Sequence, residues 1–360
     1  MNGSSAVESV KDAAVKAPFG AANRQRLIDQ SCLAGTSELW LAVYRLLLWT
    51  DKTTGLAHCY ESDKCQPGKP WYQRNLRFHD WLSGRMAVPP GGVADQLDLL
   101  FRRTADDYAR WSVQQYQRLL RRAVVQRTPF EGRGFPEPGE DPAIIDIIRD
   151  VLGSKLTGEP SASEWRSLTR RIRELIAVEN KRKNLLGEGF EDVLAAVVRG
   201  AVAAGSVQVI QRCVLQAIPG FGALRAGDKQ NKVDLALLRE SDQHRTLVTA
   251  KWSIRADREK QFSAEFASYV TARSDLRPFD YVLLTNEFDP ARLERACAAP
   301  TSNAYMFSQV VHISTDAVKA VYGDGSEATM AKVLRFIEDG RLISLDEWVS
   351  KLVSSPSRVA

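Results

Sequence analysis

Residues 232–254 read KVDLALLRESDQHRTLVTAKWSI, and this stretch decides the fold. Two apolar runs, 232–238 and 246–254, are rich in Leu, Val and Thr. The polar segment RESDQHR separates them, which is the pattern of strand, turn and strand. Downstream, 260–272 places Phe262, Phe266 and Tyr269 at the spacing of one helix face. YVLLTN (281–286) and VVHIS (310–314) read as short buried strands. The order strand, strand, helix, strand, helix, strand predicts an α/β fold with a mixed central sheet flanked by helices.

Upstream the period is helical. Residues 1–20 are small and polar, the composition of a flexible tail. From Thr36, SELWLAVYRLLLW predicts a helix with Ser37 as its cap. Residues 51–95, rich in Gly, Pro and charge, read as a loop, and helix resumes over 96–127. TPFEGRGFPEPGEDP (128–142) holds four prolines and three glycines and reads as a linker. Helices are expected at 143–152 and 162–203. The chain thus divides into a tail (1–20), a mainly helical N-terminal region (21–142) and a core (143–360).

Composition narrows the function classes. Of 360 residues, 44% are apolar and 26% charged, which excludes a wholly disordered chain. The longest apolar run, Leu39–Trp49, contains Arg45 and is far shorter than the ~20 residues of a membrane span. The first twenty residues lack the apolar centre of a secretory signal. Five cysteines, an odd number, do not describe a disulfide scaffold, so a reducing cytoplasm is the expected location. The net charge of +5 is uneven: seven arginines face two aspartates in 101–130, and seven Arg and Lys face two glutamates in 165–183. Such clusters are the footprint of a polyanion partner or a plain solvated face.

The candidate chemistry starts from charges inside apolar strands. Asp234 shares a strand side with Ala236 and Leu238, and Lys251 shares one with Leu247, Thr249 and Ser253. Hairpin pairing can set them on one face, and a charge there needs a partner or a metal. Alone, the pair also fits a structural ion pair. Glu265, three residues after Phe262, points toward the sheet, and Glu191 follows Phe190 at the start of an amphipathic run. Two or three carboxylates with one lysine are the groups that hold Mg²⁺ through oxygen and stabilise charge on a phosphodiester.

Between Lys251 and Glu265 lies KWSIRADR. Arg255 and Arg258 can grip guanine through O6 and N7, and Asp257 can accept from cytosine N4. The same string also fits a salt-bridged helix N-terminus.

Asp234, then Lys251, thirteen intervening residues and Glu265, with RADR embedded, resembles the CCGG family of type II restriction endonucleases, within the PD-(D/E)xK superfamily. In that family the acidic residue two before the lysine is lost, here Thr249, and its carboxylate moves to the next helix, here Glu265. GEGFE (187–191) is similar to the family's helix-borne metal-site glutamate, which implies that role for Glu191. ELWLAVYRLLLWTDKTTGLA is similar to the helical region of the BsaWI-type branch. The resemblance covers roughly 185–290, and KV stands before Asp234 where the superfamily name has Pro. It implies a Mg²⁺-dependent restriction endonuclease that cuts double-stranded DNA at a palindrome with a CC/GG core. A homodimer, or a tetramer formed by two such dimers, is implied with it, as is a DNA methyltransferase of the same specificity. A related repair or modification-dependent nuclease, and a catalytically silent DNA-binding protein, are the alternatives.

Other signals are set aside. His58, Cys59, Cys65 and His79 match no zinc-finger spacing. No nucleophile triad, P-loop or dinucleotide fingerprint is present. Trp40, Trp49, Trp71, Trp81 and Trp111 read as core and loop anchors.

Overall fold

A computed structural model describes residues 17–31, 38–51, 55, 67–69, 71–135, 141–202, 206–222, 230–255, 259–275, 277–301 and 304–354. Its principal helices are α1 (Ala21–Asp29), α2 (Leu39–Leu47), α3 (Trp71–Met86), α4 (Leu99–Arg127), α5 (Pro142–Leu152), α6 (Ala162–Ala201), α7 (Glu259–Ala272), α8 (Pro290–Ala298), α9 (Thr315–Tyr322), α10 (Ala328–Glu338) and α11 (Leu345–Ser354). The strands are β1 (Val207–Val214), β2 (Lys232–Arg239), β3 (Arg245–Lys251), β4 (Phe279–Thr285), β5 (Gln309–His312) and β6 (Leu342–Ser344).

The chain forms two compact units, one of Met1–Arg24 and Arg102–Leu185, the other of Gln25–Phe101 and Leu186–Ala360. These divisions fall elsewhere than at residue 142, the boundary expected from the Pro/Gly-rich stretch. Turn-forming residues mark where helices stop, whereas compact units are drawn by which apolar faces meet.

The second unit is an α/β structure on one six-stranded mixed sheet, in the order β1-β2-β3-β4-β5-β6. β1, β2 and β3 are antiparallel, and β3 to β6 are parallel. The inner strands β3 and β4 are buried along most of their length, from Leu247 to Ala250 and from Tyr281 to Leu284. Parallel strands covered on both faces read as continuous apolar runs, which is how 281–286 looked in the sequence. Each Leu or Val so buried contributes about 1.5–3 kcal/mol.

Several elements depart from expectation. β1 and β6 are edge strands, and neither VQVIQRCV nor LIS was anticipated. Within the expected loop at 51–95 lies α3, which buries Phe78, Leu82 and Met86 at four-residue spacing. β3 stops at Lys251 rather than 254. There the chain turns out of the ladder: Asn286 N donates to the Trp252 carbonyl at 3.0 Å, and Ile254 N donates to Glu287 Oε2 at 2.7 Å. The start of α2 is not capped by its flanking residue. Asp346 caps it from α11, accepting from Leu39 N at 2.7 Å and Trp40 N at 3.3 Å. Ser37, the expected cap, lies outside the described residues.

One buried cation anchors α7. Arg245, the first residue of β3, is 2% exposed. Its guanidinium donates to the carbonyls of Pro219 (3.1 Å) and Arg277 (3.0 Å) and to Asp275 Oδ1 (3.0 Å), 5.3 Å from the centre of the Phe221 ring. Gly220 is obligatory beside it. Its φ is +84°, and a Cβ there would come within 1.7 Å of Arg245 Nη1. The same loop reaches the end of α7 through Gly222 N to the Ala272 carbonyl (2.8 Å) and Ser274 N to the Gly220 carbonyl (3.0 Å).

In the first unit, α4, α5 and α6 carry the arginine clusters. Arg170 pairs with Glu174 and Arg173 with Asp141. Arg118, Arg121, Arg122 and Arg171 have no ion-pair partner among the described residues, and Arg118, Arg121, Arg122 and Arg171 are exposed. Val124, Val125, Ile147 and Val151 are exposed as well.

Candidate active site

Asp234 and Lys251 meet. Leu235 pairs with Val248 and Ala236 with Leu247, so the antiparallel register sets Asp234 opposite Thr249. Side chains two apart share a sheet face, which brings Lys251 to the same side. Lys251 Nζ lies 2.6 Å from Asp234 Oδ2. Ala250 N also donates to that oxygen at 2.9 Å, and Thr249 Oγ1 at 3.4 Å. Both side chains retain about a fifth of their exposure, so the pair opens to solvent.

Glu265 reaches the same face from α7. Tyr281 Oη donates to Glu265 Oε2 at 3.1 Å, and Gln261 Nε2 donates to Oε1 at 2.6 Å. The Phe266 ring stacks on Tyr281 at 5.8 Å, and the Tyr269 ring meets Tyr281 edge-on at 5.4 Å, so α7 sits on the sheet by its aromatic stripe. Burial pushes the Glu265 carboxyl above its ordinary range; Lys251 pulls it down and Asp234 pushes it up.

Glu191 completes the group from α6. Burial first, then the charge of Asp234, pushes its carboxyl up to about 7, against the pull of Lys251 and Arg212. Phe190, next to it, packs edge-on against Trp252 at 5.2 Å. Arg212 on β1 bonds Glu191 Oε2 at 3.4 Å and also bonds Asp192. Arg212 and Asp192 were missed in the sequence, because an arginine in an edge strand carries no motif.

Three carboxylates therefore face one lysine and one arginine that is already shared with Asp192. Hard oxygen donors with surplus negative charge are what a divalent cation neutralises, so the donor chemistry fits Mg²⁺. Among the described residues, no three His, Cys, Asp or Glu side chains stand close enough to hold one ion together. Each carboxylate is engaged by its own chain: Asp234 by Lys251, Glu265 by Tyr281 and Gln261, Glu191 by Arg212.

Of the expected base-reading residues, Arg255 is exposed on the segment leaving β3, while Asp257 and Arg258 lie outside the described residues. So do His58, Cys59 and Cys65. His79 is buried, with Nε2 3.0 Å from the Pro90 carbonyl. No described helix is long and apolar enough to cross a membrane.

The raised Glu191 carboxyl has a measurable consequence in metal-free protein. Between pH ~4.5 and ~7 the folded state holds a proton that the unfolded chain has released, so stability falls as pH rises through about 7. Glu191→Gln is expected to be more stable than the parent at pH 8 and equal to it at pH 4. Denaturant midpoints at the two pH values measure this, and an equal difference at both would assign the effect to packing.

No family model and no curated protein matches the chain.

Proposed function

We propose that the chain is a Mg²⁺-dependent, sequence-specific endonuclease of the type II restriction class, built on a restriction-endonuclease-like core. The observation that carries this reading is the Asp234–Lys251 contact on one sheet face, with Glu191 and Glu265 in electrostatic reach of both. Asp234, Glu265 and Glu191 would have to draw together to hold the cation, which would supply Lewis acidity and a more acidic bound water. Lys251 places an ammonium group at the open side of the pair, where it stabilises negative charge on a phosphate. Glu191, its carboxyl pushed up to about 7, needs its proton removed to serve, and Lys251 and Arg212 favour that.

Base reading falls to Arg255, Asp257 and Arg258, four to seven residues beyond Lys251. Arg258→Ala is expected to cost about 1–3 kcal/mol of discrimination at one base pair, read from cleavage of single-substituted duplexes. Normal specificity in that variant would remove the CCGG-type reading while leaving the nuclease reading standing. A homodimer on a palindrome, acting in the cytoplasm beside a methyltransferase of matching specificity, belongs to the same proposal.

The unpaired arginines of the first unit supply a surface for the phosphate backbone. Charge reversal at Arg121 and Arg122 is expected to weaken binding about equally for all sequences. If each contacts one phosphate, the slope of log affinity against log salt should shrink by about 1.8. An unchanged slope would return these side chains to a solvated role.

The deciding experiment incubates the protein with phage DNA and Mg²⁺, with a chelated control, and sequences the fragment ends. Discrete fragments whose ends share a CC/GG core support the proposal. Cleavage without a common sequence indicates a nuclease of another purpose, and binding without cleavage indicates a catalytically silent protein.

A further inference from the structure

Arg212 stands in an unusual backbone conformation. It lies within β1, yet its φ is +46°, a left-handed value that bulky residues avoid. Strand pairing is recorded on either side of it, Gln211 with Leu235 and Cys213 with Val233, which sets Arg212 opposite Asp234. Strain of this kind persists where the surroundings over-determine a residue, and it clusters at functional sites.

What holds Arg212 is one short stretch of α6. Nη1 donates to the Glu188 carbonyl at 3.2 Å and to Glu191 Oε2 at 3.4 Å, and Nη2 bonds Asp192 Oδ1. Asp192 is 2% exposed, and its Oδ1 also accepts from Gln211 Nε2 at 2.6 Å. Adjacent residues on a helix point about 100° apart, yet Glu191 and Asp192 both bond this one side chain. The guanidinium spans both. Asp192, buried and doubly bonded, fixes the guanidinium, whose Nη1 in turn holds Glu191.

We propose that Arg212 is a positioning residue, anchored on Asp192, that aims the Glu191 carboxylate at the Asp234–Lys251 pair for divalent-cation binding. The inference rests on the nuclease reading of that pair. A group bonded behind a metal-binding side chain sets its orientation, and its loss weakens metal affinity by about 10–100-fold. A purely structural role would instead lower stability and leave cation affinity untouched.

Mn²⁺ titrated into the protein, with free ion followed by paramagnetic resonance, tests this without reference to cleavage. Arg212→Gly suits the left-handed backbone, so the fold is kept while the guanidinium is removed. Its Mn²⁺ dissociation constant is expected to rise at least about tenfold. Arg212→Lys, which keeps the charge but loses the fork, should fall between. Asp192→Asn should weaken Mn²⁺ binding in the same direction, with thermal midpoints checking that each variant is folded. Unchanged or tighter Mn²⁺ binding in folded Arg212→Gly or Arg212→Lys overturns the inference alone. Failure of the parent protein to bind Mn²⁺ overturns the nuclease reading, and the inference with it.

Discussion

Asp234→Asn is expected to lower DNA cleavage about 10³-fold or more, equivalent to about 4 kcal/mol in activation free energy. Lys251, Ala250 N and Thr249 all converge on one oxygen of this carboxylate. Asparagine keeps the shape and an acceptor for Ala250 N but removes the charge that pairs with Lys251 and, in the proposed reading, with the cation. DNA binding without metal should stay close to the parent value, since the proposed phosphate and base contacts fall to other residues. A second readout is independent of cleavage. Asp234 pushes the carboxyls of Glu191 and Glu265 upward, so both should titrate at lower pH in the variant. Cleavage at more than about a tenth of the parent rate would remove Asp234 from the chemistry.

The largest effect on stability is expected at the buried Arg245. Arg245→Ala strands the carbonyls of Pro219 and Arg277 and leaves a void beside Phe221. Lost charge-assisted hydrogen bonds and the cavity together should cost about 3–5 kcal/mol, measured by denaturant midpoint. Arg245→Lys restores charge without the three-way fork and should recover only part of this. Because the same loop is tied to the end of α7, the aromatic packing that carries Glu265 should loosen as well. A loss below about 1 kcal/mol would mean that α7 is held by its aromatic stripe alone.

The strand–turn–strand segment was legible because apolar runs, a polar turn and two inward charges coincide within 23 residues. The Phe262–Phe266–Tyr269 stripe likewise sets Glu265 on the sheet side by helical spacing alone. α3 was not legible, because its stripe of Phe78, Leu82 and Met86 is diluted by charged neighbours and preceded by Gly and Pro. The edge strands escaped for a related reason: their pairing partners, not their composition, make them strands.

The sequence by itself determined the α/β class, the positions of the central strands, and the four ionisable groups Glu191, Asp234, Lys251 and Glu265. Local periodicity and the cost of burying charge are properties of short stretches, so short stretches reveal them. Only the tertiary structure decided the pairing register that joins Asp234 to Lys251. It alone set the Asp346 cap on α2, formed across about 300 residues of chain. It also brought Arg212 between Glu191 and Asp192, and it engaged each carboxylate with a partner of its own chain. These are contacts between distant segments, and which donor meets which acceptor there is settled by packing geometry rather than by residue order.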